Sequence, residues 1–436
     1  MLFRILERLF VVALLLCSMQ VVIGLTNPGL VKGASEVVST DLHMSSIAIE
    51  GSVYAWGFLL FLLRWRRVIR AVQAVWPLAG FVALTSLSTL WSIHPSVTLR
   101  RSIILLIATL LAIYLGERYT MEKLARLIAQ TLCLMMLAVI ALYFVAPVYV
   151  IDHSVHVGAW KGLSAYKNAF GEYMAVAVIL LLRVRFRHLD WLRYGFLLTA
   201  AVLLVLSRSA AALFCCVLFV AAMPLWRWIR LERKQRLVIY ATAVLIFCPG
   251  MYFLATNSGF LFRMLGRDAT LTGRTHLWAA ALPAILKHPI LGYGYDTFWA
   301  GLKGEALDVR IACGWLAALA DNGYIDLSLS LGVLGVCIFL YVWARSFRNA
   351  TGYIRMESGP IGVWPVTYLC FYALHNLSES TLLTRGTFPF LLFTMITTSL
   401  AVNRRRAAAV ALSDREQPDA QWHPWLTEWN TAGQRP

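Results

Sequence analysis

The chain has 436 residues, of which 60% are hydrophobic and 14% charged, well short of the roughly one-quarter charged residues of a soluble domain. Water is therefore not its main solvent, and the composition points to a polytopic membrane protein. The formal net charge of +17 would suggest a nucleic-acid partner in a soluble protein, but its placement argues against one.

Apolar runs of about 17 to 22 residues recur from Phe10 to Val402, each long enough to cross a hydrocarbon core of about 30 Å as a helix. About twelve such spans are expected, making the fold class all-α, a polytopic helical bundle. With the N-terminus cytoplasmic, the loops 64–70, 118–126, 183–193, 227–236, 345–355 and 404–406 fall inside. Together with the two tails they carry about two-thirds of the Lys and Arg, as the positive-inside rule requires. The excess charge then expresses topology and attraction to anionic membrane lipid, without nucleic acid. The expected organisation is residues 1–255 as transmembrane helices one to nine, 256–323 as a large outer loop or helical cap, 324–403 as spans ten to twelve, and 404–436 as a tail. Both termini are expected on the cytoplasmic side of a bacterial inner membrane.

The first 26 residues have Arg4 and Arg8 before an apolar run but lack a small-x-small cleavage site, so a retained first span is expected. Residues 26–44 read as a plain outer connector. Spans three and four turn around Trp91 to Arg101, where Pro95 and a polar cluster break the helix and Trp91 suits an interfacial anchor. Span five ends near Pro147, and an outer segment runs on to Tyr166-Lys167-Asn168-Ala169-Phe170-Gly171. Spans seven and eight are joined by only Ser207-Arg208-Ser209, which holds Arg208 at or just below the membrane surface, a costly position for a cation without a partner. The long outer segment 256–322 is much less apolar than its flanks. Span ten begins near Tyr324, span eleven ends near His375, and an outer turn 376–386 leads into the last span.

Eight cysteines lie almost entirely in apolar runs, with Cys313 the exception, so no disulfide framework is expected. His153 and His156 stand in a loop with no third ligand nearby, and no HExxH or CxxC pattern occurs, so no metal and no cofactor is expected.

The outer surface collects Lys167, Arg208, Arg263, Arg267, Arg274, His276, Asp296, Asp321, His375 and Glu379. An arginine fork matches phosphate oxygens and keeps its charge when partly buried, so the natural ligand is an anion arriving through the membrane plane. Arg208 is equally readable as a snorkelling interfacial residue. Arg274 follows Gly273 at the start of a helical segment, where backbone N–H groups would add to an anion site, or it is simply the charged first turn of a surface helix. The stretch from Lys287 to Trp299 carries glycines and aromatics suited to a folded turn. Its rings, with Trp278, could face a sugar, although their spacing favours packing.

Six segments of the sequence, "LSTLWSIHPSVTLRRS", "GLSAYKNAFGEYMA", "LSRSAAAL", "GRTHLWAAALPAILKHPILGYGYDTFW", "DNGYIDLSLSLGVLG" and "HNLSESTLL", resemble in their order the O-antigen ligase and polymerase superfamily. The resemblance is closest to its exopolysaccharide polymerase branch, Wzy-type and ExoQ-like. It implies transfer or polymerisation of glycans carried on undecaprenyl diphosphate at the periplasmic face, without metal or nucleotide. It also implies that Arg208 and Arg274 are the two functional arginines, with Lys167 and Arg263 as further diphosphate-binding candidates. Trp278, Tyr293, Tyr295, Trp299 and Asn322 are the candidates for glycan contact. Where the family has His before Asn-Gly-Tyr, this chain has Asp321, so the base is expected to be Asp321, His375 or Glu379. The partners implied are a lipid-linked oligosaccharide, membrane lipid and other polysaccharide assembly proteins. A ligase would use the same residues. A flippase would need polar groups along a path through the membrane, and few charges stand at mid-depth. An inactive assembly component is the remaining alternative, raised by Asp321.

Overall fold

The computed structural model describes residues 2–26, 44–153, 156–186, 189–226, 273–357 and 359–416. Among these residues the chain is all-helical, with no strand and a single isolated bridge between Ile151 and Trp160. The helices in chain order are α1 (Leu2–Ser18), α2 (Val21–Thr26), α3 (Met44–Leu62), α4 (Trp65–Ala74), α5 (Trp76–Leu87), α6 (Pro95–Arg118), α7 (Met121–Val145) and α8 (Lys167–Leu181). They continue as α9 (Asp190–Leu206), α10 (Ala210–Ala222), α11 (Arg274–Lys287), α12 (Glu305–Cys313), α13 (Gly323–Met356), α14 (Trp364–His375) and α15 (Phe388–Glu416).

Local sequence explains where several of them start. Prolines stand in the first turns of α5, α6 and α14, where the missing N–H costs nothing. Thr120 caps α7 through Lys123 N, and Asn322 caps α13 through the backbone of Tyr324 and Ile325.

By length and apolarity α6, α7 and α13 can cross a membrane, and residues 47–62 with α4 form a fourth candidate bent by 93° at the break. Other apolar helices are shorter, with 15 residues in α8 and 13 in α10. Every residue of α8 from Ala169 to Leu181 is buried, so this helix is the spine around which α7, α9, α10 and α14 pack.

The two ends of the bundle are polar in different ways. At one end Glu7 accepts from Tyr114 Oη at 2.6 Å and from Arg118 Nε and Nη2 at 2.6 and 2.8 Å. Nearby, Arg404 donates to Asn349 at 2.8 Å, Arg405 to the Gln73 carbonyl at 2.7 Å, and Arg406 meets Glu117 at 3.1 Å. These are the residues that charge patterning assigns to the inside. The opposite end gathers residues 88–101, 146–153, 156–166, 207–209, 288–304, 314–322 and 376–387, assigned outside. Tyr295 N–H donates to Ser88 and its hydroxyl to the Leu383 carbonyl at 2.7 Å, and Ile93 N–H donates to the Tyr293 carbonyl at 3.1 Å.

Residues 273–322 carry a small core of their own, with Leu277, Ala281, Tyr293, Phe298 and Val309 closing on Leu329 of α13. The attachment to α13 is made through a break in that helix. Gly332 has φ +63° inside α13, and Tyr293 N–H and Gly294 N–H donate to the carbonyls of Leu329 and Ser330 at 2.8 and 3.1 Å, while Val333 N–H donates to Pro289. A Cβ on Gly332 would lie 2.2 Å from Ile290 backbone, so only glycine admits the turn there. Sequence periodicity carries α13 straight through this interruption.

Candidate functional site

The densest polar cluster at the outward-assigned end forms around Arg274. Gly273, with φ +85°, caps α11 and sets Arg274 as its first residue. The guanidinium donates from Nη2 to Glu379 Oε1 at 2.9 Å and lies 3.5 Å from Asp321 Oδ2 through Nε, with 15% of the side chain exposed. Burial works against this charge, but the two carboxylates outweigh it and hold the pKa above the ordinary arginine value. Glu379, 2% exposed, also accepts from Asn168 Nδ2 at 2.6 Å. Three segments far apart in sequence thus meet at one cation, and a fourth reaches it through Glu379.

Asp321 stands directly before α13 with φ +48°. Arg208 and Asp296 also have positive φ, +51° and +55°. A non-glycine residue there carries about 1–3 kcal/mol of backbone strain, which in folded proteins collects at functional sites.

Arg208 is exposed and donates to the Val157 carbonyl at 3.3 Å. Its turn is pressed onto the spine helix: a Cβ on Gly171 would lie 2.6 Å from Ser209 Cβ and 2.8 Å from Ser207 Oγ. Gly171 is one turn along α8 from Asn168, the residue bonded to Glu379. The turn carrying Arg208 and Glu379, one of the two partners of Arg274, therefore both contact the first turns of α8, which begins with the half-buried Lys167. Arg263 and the outer segment up to residue 272 lie outside the described residues.

The remaining sequence candidates divide by burial. His375 is 0% exposed, stacked on Phe371 at 5.3 Å and facing Glu172, so an acceptor hydroxyl has no route to it. Asp321 and Glu379 are left at the cluster itself. Tyr293 and Tyr295 are 4% and 2% exposed, with hydroxyls donated to the carbonyls of Ala284 and Leu383. Their hydroxyls hold the turn together. Asn322 is taken up by capping α13 and by donating to the Leu377 carbonyl at 3.1 Å. Trp278 donates to the Ala320 carbonyl at 2.8 Å, and Trp299 donates to Asp326 Oδ1 at 2.7 Å. Both indoles are half-buried beside the cluster.

Sequence reasoning missed two residues and the partners of a third. Asp326, one turn into α13, accepts from Trp299, Ser380 and Ala320 N–H and ties α13 to the turn carrying Glu379. Asn168 was visible only as the neighbour of Lys167. Asp296 is shared by Arg101 and Arg385, clasping α6, the 290s turn and the turn before α15. Asp296 stands out in the sequence as an outer polar residue, but its two arginine partners do not.

The family described as O-antigen ligase matches residues 194–340, a stretch that includes Arg208, Arg274 and Asp321. The exopolysaccharide production protein ExoQ of Rhizobium meliloti is 23% identical over 299 residues, covering 66% of this chain and 68% of that protein. Together these matches support the O-antigen ligase and polymerase superfamily, on its ExoQ-like branch. The family match includes Asp321 and ends before His375 and Glu379, so the pairing of Glu379 with Arg274 is shown by the structure alone. The chain is a membrane protein with apolar helices, and the superfamily it is similar to implies an activity of glycosyltransferase type.

Proposed function

We propose that this protein is an inner-membrane glycosyltransferase that polymerises undecaprenyl diphosphate-linked oligosaccharide repeat units into an exopolysaccharide or O-antigen at the periplasmic face. The observation that carries the reading is the half-buried Arg274, fixed by Asp321 and by Glu379, the latter held by Asn168 in the first turn of α8, one turn from the Gly171 contact with the Arg208 turn. A guanidinium has five N–H donors, more than two carboxylate contacts consume, so Arg274 can hold a phosphate oxygen while still anchored.

In this mechanism the donor enters laterally, its diphosphate gripped by Arg208 and Arg274 with Lys167 and Arg263 in support. The chain's own cations stabilise the negative charge that develops on the departing diphosphate, the largest electrostatic change in the reaction. Asp321 accepts the proton of the acceptor sugar's hydroxyl, whose oxygen attacks the anomeric carbon from the face opposite the leaving group. The new glycosidic bond forms as the carbon–oxygen bond to phosphate breaks, and the anomeric configuration inverts. Trp278 and Trp299 flank the cluster as the aromatic surfaces available to the glycan, and holding donor and acceptor together is mainly an entropic gain.

The description of the matched family favours a second reading, a ligase that moves finished glycan to a lipid or protein acceptor. The test is the carrier-lipid content of a deletion strain. Single repeat units accumulating on undecaprenyl diphosphate are expected of a polymerase, and long carrier-linked chains would establish the ligase. Purified protein elongating those single units in detergent, where no compartments exist, separates the polymerase from a flippase.

A further inference from the structure

One turn beneath the Arg274 cluster lies a polar pair that the transfer reaction does not use. Glu172 of α8 and His375, the last residue of α14, are 2% and 0% exposed, with Oε1 and Nδ1 3.5 Å apart. The contact is electrostatic, and neither imidazole nitrogen nor Glu172 Oε1 has a hydrogen-bond partner. Tyr173, Tyr368, Tyr372 and Cys215 are the titratable neighbours of Glu172, and Glu379 and Arg274 those of His375. Polar groups buried this way cost free energy that a pair of apolar side chains of similar volume would not. Packing alone gives no reason to keep them.

Register supplies one. Residues four apart on a helix lie on the same face. Asn168 is four residues before Glu172 on α8, and His375 is four residues before Glu379, joined to it by a turn in which Ser378 N–H donates to the His375 carbonyl at 3.1 Å. The contacts Glu172–His375 and Asn168–Glu379 are therefore successive rungs of one ladder between the same two elements, and the upper rung carries Arg274.

We propose that Glu172 and His375 are positioning residues whose buried contact sets the rotation and height of α8 against the end of α14, so that Asn168 and Glu379 aim the Arg274 guanidinium at the diphosphate. The inference rests on the diphosphate-binding reading of Arg274.

The test is binding of undecaprenyl diphosphate to the full-length protein in detergent, with thermal unfolding followed in parallel. Glu172→Gln and His375→Gln should each weaken binding about tenfold, equivalent to about 1.4 kcal/mol. The reciprocal double variant Glu172→His with His375→Glu should recover most of that loss. In a Glu379→Gln background either substitution should weaken binding no further, because the effect passes through Glu379. Wild-type affinity in the single variants, or losses that add in full to that of Glu379→Gln, would overturn the proposal, as would a lower unfolding temperature with unchanged affinity. If His375→Gln does not fold, the shape-conserving Glu172→Gln carries the same comparison by itself. Arg274→Ala is the control: unchanged binding there would defeat the reading of Arg274 and leave the pair without a target, a result distinct from failure of the pair alone.

Discussion

At the inward-assigned end Arg406 meets Glu117 at 3.1 Å with 58% of its side chain exposed, whereas at the other end Arg274 meets Glu379 at 2.9 Å with 15% exposed. The distances are alike and the environments are not. Exposed pairs are screened by water and contribute between about 0 and 1 kcal/mol. Arg274 sits where water is scarce, on carboxylates delivered by two separate turns, and there a fixed charge acts strongly on a nearby anion. Partner sharing differs too: Arg406 answers one carboxylate, while Arg274, Glu379 and Asn168 form a chain of contacts across three elements. Burial and shared partners, more than the presence of arginine, distinguish a candidate anion site from a charge that sets topology.

The sharpest way to break this contrast is Arg274→Ala, which should reduce polymer by about 10²–10³-fold, the usual loss when a fixed electrostatic stabiliser is removed. Protein abundance should stay normal by immunoblot of membranes. Next, Asp321→Asn should lower the transfer rate by about a hundredfold, the low end of what a positioned base supplies. Asp321→His, which restores the residue the resemblance leads one to expect, should recover most of it. Unchanged elongation by Asp321→Asn in the detergent assay would remove Asp321 from the mechanism. Arg208→Ala, at a more exposed position, should cost about tenfold in rate, or about 1.4 kcal/mol. At the small end, Arg406→Ala should leave elongation unchanged and shift stability by under about 0.5 kcal/mol, read from thermal unfolding.

Much of the fold was legible because lipid makes hydropathy decisive. The turns at Trp91–Pro95 and Ser207–Ser209, the start of α11 at Arg274 and the end of α14 at His375 all follow from proline, glycine and polar punctuation. The break at Gly332 was not legible, since it is imposed by the 289–294 turn inserting its backbone into α13. Within the site, Arg208 and Arg274 stood out because cations near apolar runs are costly. What spacing could not reveal was depth. His375 and Glu379 are one turn apart, yet His375 faces the interior at Glu172 while Glu379 reaches Arg274. Tyr293 and Tyr295, whose spacing in a glycine-rich turn favours packing, are buried in the structure.

The account turns on whether the two ends differ in what they bind. Undecaprenyl diphosphate binding should be measured on the purified wild-type protein, Arg274→Ala and Arg406→Ala side by side. Wild type and Arg406→Ala should bind alike, with Arg274→Ala weaker by at least about tenfold, a loss of about 1.4 kcal/mol. Equal affinity in all three proteins would contradict the assignment of Arg274 to the diphosphate.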